Sequence, residues 1–178
     1  MLNRVPRLLF ISVRNGLIAG VLGFIFLLAL YYMGKHPFLF PIYFDFRIIL
    51  FVVFMVMGLK ELRDDHQDGV LSFGQGMISN LVFTIIFATI SATLIWMLCA
   101  IEPRFLSDYI KTAMAQMESI APAVIEQLGK EGYERNLNGL PATNGSDLAL
   151  DYFAKSFIVS FFLSIIISVI LRRQPKTN

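Results

Sequence analysis

The sequence has little of what most chemistry needs. It holds one cysteine, Cys99, and two histidines, His36 and His66, in 178 residues. A lone cysteine inside an apolar run excludes a disulfide framework and a thiolate metal cluster. Charge is scarce as well. Asp, Glu, Lys and Arg make up 16% of the chain, and a net charge of +2 is too small and too dispersed for a nucleic-acid surface. No phosphate-binding loop, nucleophile motif or metal-ligand spacing is present. What fills the chain instead is hydrocarbon. Hydrophobic residues make up 56% and mean hydropathy is +0.67, more apolar surface than a water-soluble domain of this length hides.

Residues 1–15 hold Arg4, Arg7 and Arg14 and no acid, and Pro6 suits the first turn of a helix. The run 16–33 then offers 18 uncharged residues, enough to span a bilayer. A cleaved signal peptide competes with this reading, but Tyr31, Tyr32, Lys35 and His36 follow where a small-residue cleavage site belongs, which predicts a retained first helix. Gly16, Gly20 and Gly23 put small residues on one of its faces, where a second helix backbone can come close. Tyr31, Tyr32, Phe38, Phe40, Tyr43 and Phe44 crowd the next connection with aromatics that favour the headgroup level. Asp45 is a candidate N-cap. The second apolar run, 48–59, spans only if 46–63 is helical throughout, with Arg47, Lys60 and Arg63 snorkelling to the two surfaces. A re-entrant helix is the alternative.

The third predicted span is 73–101, uncharged from residue 77 onward. Asn80, Thr84, Ala88 and Ala92 recur along one stripe of it, and Asn80 and Thr84 read as contacts to a neighbouring helix. Glu102-Pro103 ends it. Segment 104–151 carries Leu106, Ile110, Met114, Met117, Ile120, Val124 and Leu128 at three-four spacing, an amphipathic helix or a pair bent at Pro122. Gly129, Gly132, Asn138-Gly139, Pro141 and Asn144-Gly145 then predict a flexible loop. The fourth span is 153–171. There Ser156, Ser160, Ser164 and Ser168 recur every fourth residue, so they wrap along a single side. That side is expected to face protein.

Between the second and third runs lies GLKELRDDHQDGVLSFGQG, residues 58–76. The polar stretch 64–71 contains the Asp68-Gly69 turn signal and must lie in water. Ser72 and Gln75 match a capping box, in which the serine hydroxyl takes the N–H three residues on and the glutamine returns to the serine N–H, so a helix starts at Ser72. Gly74 and Gly76 in that first turn make sense where a backbone or ligand approaches. Gly58, Lys60, Arg63, Asp64, Gly69, Ser72, Phe73, Gly74 and Gly76, set between two membrane-length runs, resemble the signature of domain-of-unknown-function family 4199, found in the inner membranes of Bacteroidota. Gln75 stands where members usually carry an acid. The resemblance implies an inner-membrane location and brings no activity, cofactor or substrate with it.

The expected fold is an all-α membrane protein, one domain over 1–178. It is a four-transmembrane-helix bundle with an amphipathic extracytoplasmic helical segment between helices 3 and 4. Arg4, Arg7, Arg14, Lys60, Arg63, Arg172, Arg173 and Lys176 fall on the side of both termini and the hairpin, against Lys35 and Arg47 in the short opposite loop, which places the termini and hairpin in the cytoplasm. His36 and His66 then lie on opposite sides and share no metal. The predicted function is a non-enzymatic subunit or scaffold of a membrane complex, with no cofactor. Its partners would be the bilayer and either a second copy or other membrane subunits, reached through small-residue stripes and the amphipathic segment. A small transporter or lipid-handling protein, with Asn80, Thr84 and the serines lining a path, is the first alternative. A membrane enzyme using Arg63, Asp64, Asp65, His66 and Asp68 on a phosphate-bearing lipid is the second.

Overall fold

In a computed structural model that describes residues 4–39 and 45–174, the chain is helical nearly throughout and the described residues contain no β-strand. The aromatic positions 40–44 and Lys176 lie outside the described residues. Helix α1 runs Arg4–Tyr32, α2 Phe46–His66, α3 Phe73–Ile101 and α7 Gly145–Leu171. Between the last two stand α4 (Pro103–Glu118), α5 (Pro122–Leu128) and α6 (Lys130–Gly139), with short 3-10 turns at Pro37–Leu39 and Leu140–Ala142.

Local chemistry explains most of these ends. Ser72 accepts from the Gln75 N–H at 3.2 Å while the Gln75 side chain accepts from the Ser72 N–H at 3.0 Å, the reciprocal pair expected from sequence. Asp45 caps α2 by accepting from Arg47 N at 3.0 Å. Pro103 and Pro122 sit in the first turns of α4 and α5, where a missing N–H costs nothing. Helix α7 begins at Gly145, earlier than the expected 153, because Asn144 accepts from the Ser146 and Asp147 N–H groups and Asp147 returns to the Asn144 N–H. Residues 130–139, expected as loop, form α6. An i,i+4 pair, Lys130–Glu134 at 3.8 Å, runs along it, and Tyr133 ties it to α4 through the Met117 carbonyl at 3.1 Å.

Among the described residues three helices, not the expected four, are long and apolar enough to cross a membrane: Arg7–Tyr32, Phe73–Ile101 and Gly145–Leu171. Helix α2 has the length, 21 residues, but Arg47 at one end and Lys60, Glu61, Arg63, Asp64 and Asp65 at the other make it too charged to qualify by composition.

Helix α3 packs between α1 and α7, and α2 closes the arrangement against the same two helices. Their shared core holds Phe51, Phe87, Leu27, Met55, Leu59 and Ile95, all almost fully buried. At one end α4 folds back over this core. Phe105 is wholly buried, Tyr109 packs beside it and Ala113 is buried, so the face of α4 that lies on the protein's own helices is offset by one residue from the expected stripe, whose Leu106, Ile110 and Met114 are only half-buried. Tyr31, His36, Phe38, Phe105 and Tyr109 form a ring cluster there, with centroid separations of 4.7 to 6.2 Å. The opposite end carries the 67–72 hairpin.

Candidate functional site

The hairpin end gathers the residues singled out in 58–76. Asp68 and Gly69 both have positive φ, +53° and +77°, the left-handed turn that the Asp-Gly pair signals. The Gly69 N–H returns to the Arg63 carbonyl at 2.9 Å and closes α2. Leu71 then pairs antiparallel with Arg173, the two exchanging N–H···O bonds of 3.0 and 2.9 Å, so the hairpin is stapled to the end of α7. Arg63 joins the same staple. It binds Asp64 in a forked pair at 2.6 and 2.9 Å and reaches the Leu171 carbonyl at 3.5 Å. The bonded guanidinium holds the Asp64 carboxyl below the usual carboxylate range. Lys60 and Phe73 are exposed, and Gly74 faces open space. Gln67 is buried beneath the turn, and among the described residues neither its amide nitrogen nor its amide oxygen has a partner.

The small-residue stripes are all occupied within the chain. A Cβ on Gly16 would stand 2.9 Å from the Phe83 carbonyl oxygen and from Ile86, so α1 and α3 touch backbone to backbone. Gly20 meets Ile90 and Phe87, Gly23 meets the Phe87 ring, and Ser91 donates to the Gly20 carbonyl at 3.1 Å. On the other flank of α3, Ser156, Ser160, Ser164 and Ser168 are all buried, as the ladder predicts. Gly76 lies against Ser168, where a Cβ would stand 2.9 Å from the hydroxyl, and Asn80 donates to the same hydroxyl at 3.4 Å. Thr84 bonds the Asn80 carbonyl at 2.8 Å, the i−4 pattern that spends a hydroxyl locally.

Polar contacts also join the helices toward the hairpin end. Ser12 and Ser79 share a 2.8 Å hydroxyl bond, and Gly58 leaves room for the Asn15 amide, which a Cβ would meet at 2.7 Å. The space among Ser12, Asn15, Gly58, Ser79 and Asn80 is about 10 Å³, the room of one water molecule. Outside this seam, α3 and α7 diverge into an apolar groove of about 130 Å³ lined by Leu81, Thr84, Phe157 and Phe161.

Arg47 departs most from expectation. The sequence reading has it snorkelling to a surface, yet its side chain is only 11% exposed. It forms a forked ion pair with Asp45, itself 9% exposed, through Nε at 2.7 and 2.8 Å and through Nη2. Its remaining nitrogen donates to Ser156 Oγ at 3.1 Å and the Tyr152 carbonyl at 3.4 Å, and the guanidinium stacks over the Tyr152 ring at 4.6 Å. A charge with this many partners on a neighbouring helix gains nothing by reaching for water. Only the Asp-x-Arg spacing at the start of α2 hinted at the pair. Nothing in the sequence pointed to Tyr152 or Ser156 as partners.

His36, at the α4 end, places Nε2 3.0 Å from the Phe105 carbonyl. A carbonyl only accepts, so Nε2 carries the proton and, among the described residues, the buried Nδ1 has no partner. Burial pushes the imidazole pKa down, against the upward pull of the Phe105 hydrogen bond and the Asp108 charge. Above the ordinary histidine value of about 6.5, folded and unfolded chains both hold a neutral ring and the full stability is present. As pH falls below that value the unfolded chain takes the proton first, and stability is lost down to the lower folded pKa. An unfolding midpoint followed in detergent from roughly pH 8 to pH 5 should therefore drop, and His36→Phe should flatten that drop.

No curated protein and no solved structure matches the chain. A family model does, over residues 14–173, so the match runs from inside α1 to just beyond the end of α7 and includes the whole hairpin. The resemblance carried by residues 58–76 is thus extended to nearly the full length, and the chain belongs to the family described as Protein of unknown function (DUF4199).

Proposed function

We propose that this chain is a non-enzymatic integral membrane subunit or scaffold, a bundle of four spans in a bacterial inner membrane. Its termini and the 67–72 hairpin face the cytoplasm, and α4–α6 lie outside. One observation carries the reading: small and hydroxyl-bearing faces meet inside the chain, while the outward faces are hydrocarbon. Phe10 is 65% exposed on α1, Ile49 and Met57 are 68% and 58% exposed on α2, and Phe162 and Ile170 are 62% and 71% exposed on α7. Helix α2 supports a fourth span because its exposed middle is apolar and its charges sit at its two ends. At 1.5 Å per residue it is about 31 Å long, the thickness of the hydrocarbon core.

Because the glycine and serine stripes are occupied internally, association with a second copy or with other subunits would use other surfaces. Apart from the apolar outward faces, the charged rim near Lys60 and Asp65 and the outer helices α5 and α6 are exposed. Copurification from native membranes with crosslinking is the test, and a lone monomer with nothing attached would defeat the subunit reading. The threading has its own test. A reporter active only outside the cytoplasm is expected to be silent when fused at Asn178 and active when inserted near Gly139, and the reverse pattern would overturn it.

A further inference from the structure

At the α4 end, outside the aromatic cluster, an open cavity of about 550 Å³ lies between the last turn of α1 and the first half of α4. Glu102, Arg104, Asp108 and Lys111 line it, with Tyr31 and Tyr32. Arg104, Asp108 and Lys111 are three or four residues apart on one helix face, the spacing at which opposite charges ordinarily pair. They do not pair here. Among the described residues neither Arg104 nor Lys111 takes part in an ion pair, and Asp108 instead accepts from the Tyr31 hydroxyl at 3.0 Å. Glu102 accepts from the Arg104 backbone N–H at 3.3 Å. The wall therefore holds two cations and two carboxylates apart from each other around one cavity.

The rim below it is greasy. Tyr32, Met33 and Ile101 are 76%, 73% and 78% exposed; Tyr32 and Ile101 end helices long and apolar enough to cross a bilayer, and Met33 follows the first of them directly. A ligand suited to this place carries both charges a few ångströms apart and an apolar body below them.

We propose that this cavity binds the headgroup of a phosphoethanolamine lipid. Arg104 and Lys111 take the phosphate, and Glu102 and Asp108 take the ammonium, while the acyl chains run down past Met33 and Ile101. The carboxylates select a primary ammonium over choline, because a quaternary nitrogen has no N–H to give them. Carboxylates in the wall also disfavour an anionic headgroup that has no ammonium. The inference goes beyond the scaffold reading and rests on it only in taking the α4 end to lie at a membrane surface.

The test uses the full chain in mild detergent, offered an equal mixture of phosphatidylethanolamine, phosphatidylcholine and phosphatidylglycerol. The lipid retained after washing is counted by native mass spectrometry. Phosphatidylethanolamine should be retained in preference to the other two. Arg104→Gln with Lys111→Gln should lower that retention roughly tenfold, the equivalent of about 1.4 kcal/mol. Glu102→Gln with Asp108→Asn keeps an acceptor oxygen for the Arg104 N–H and the Tyr31 hydroxyl. It should abolish the preference over phosphatidylcholine while leaving total lipid unchanged. Equal retention of the three lipids, preference for phosphatidylglycerol, or an unaltered preference in both double variants would overturn the proposal. So would displacement by free phosphoethanolamine at the concentration at which the lipid itself competes, since that marks a soluble ligand. Circular dichroism checks that each variant folds, and should one fail, the single Glu102→Gln variant carries the same comparison. None of these readouts depends on the reporter fusions, so a reversed threading and an empty cavity are told apart.

Discussion

Arg47→Met is expected to destabilise the folded chain by about 3 kcal/mol, because it removes the partner of the largely enclosed Asp45 carboxylate. The carboxylate is 9% exposed and takes its forked bond from that guanidinium, so water can replace little of that bond. The Ser156 hydroxyl and Tyr152 carbonyl on α7 lose a donor in the same step. Unfolding in mixed micelles of increasing anionic detergent measures the loss. A second variant separates the charge from the packing. Adding Asp45→Asn to Arg47→Met should recover a good part of the stability, since an unpaired buried amide costs less than an unpaired buried carboxylate. If the single variant unfolds at the wild-type midpoint, Arg47 is not the latch between α2 and α7.

Gly16→Leu is expected to cost about 3 kcal/mol, at the upper end of ordinary overpacking, because the obstacle is partly backbone. A Cβ at this position already stands 2.9 Å from the Phe83 carbonyl oxygen, which no rotamer change moves away. Helix α1 must shift along much of its seam with α3, and the Ser12–Ser79 bond one turn away lengthens with it. Gly74→Ala is the matched control. Nothing lies within 4 Å of that position, so the substitution meets no wall and should gain up to about 1 kcal/mol of helix propensity. The same unfolding assay reads both. A Gly16→Leu protein as stable as wild type would mean that the two backbones are not in contact.

The two glycines show where sequence reading reaches its limit. Gly74 and Gly76 stand two residues apart in one helical turn, and composition treats them alike. In the folded chain Gly76 abuts Ser168 and Gly74 abuts nothing, because a two-residue step turns the helix by about 200° and sends them to opposite faces. The serine ladder was legible because its four-residue repeat marks a face without naming the partner. Helix α2 was legible as a helix, but composition does not class it as a span, because Lys60 to Asp65 continue the helix beyond the apolar run. Helix α6 and the early start of α7 were missed for a different reason. Glycine and asparagine at 129, 132, 138 and 144 read as loop signals, yet Asn144 spends its side chain capping the next helix.

By itself the sequence determined that the chain is helical and apolar, that α3 starts at Ser72, that α2 starts beside Asp45, and that the serines share a side. These are consequences of bonds and repeats confined to a turn or two of backbone. Only the tertiary structure decided that the glycine and serine stripes face α3 from its two flanks, that Arg47 is turned inward onto α7, and that the hairpin is stapled to Arg173. Arg47 finds Ser156 across 109 residues of sequence. No local rule spans that distance, because side-chain spacing says which face of a helix is small, polar or charged, and only packing among several helices says what stands opposite.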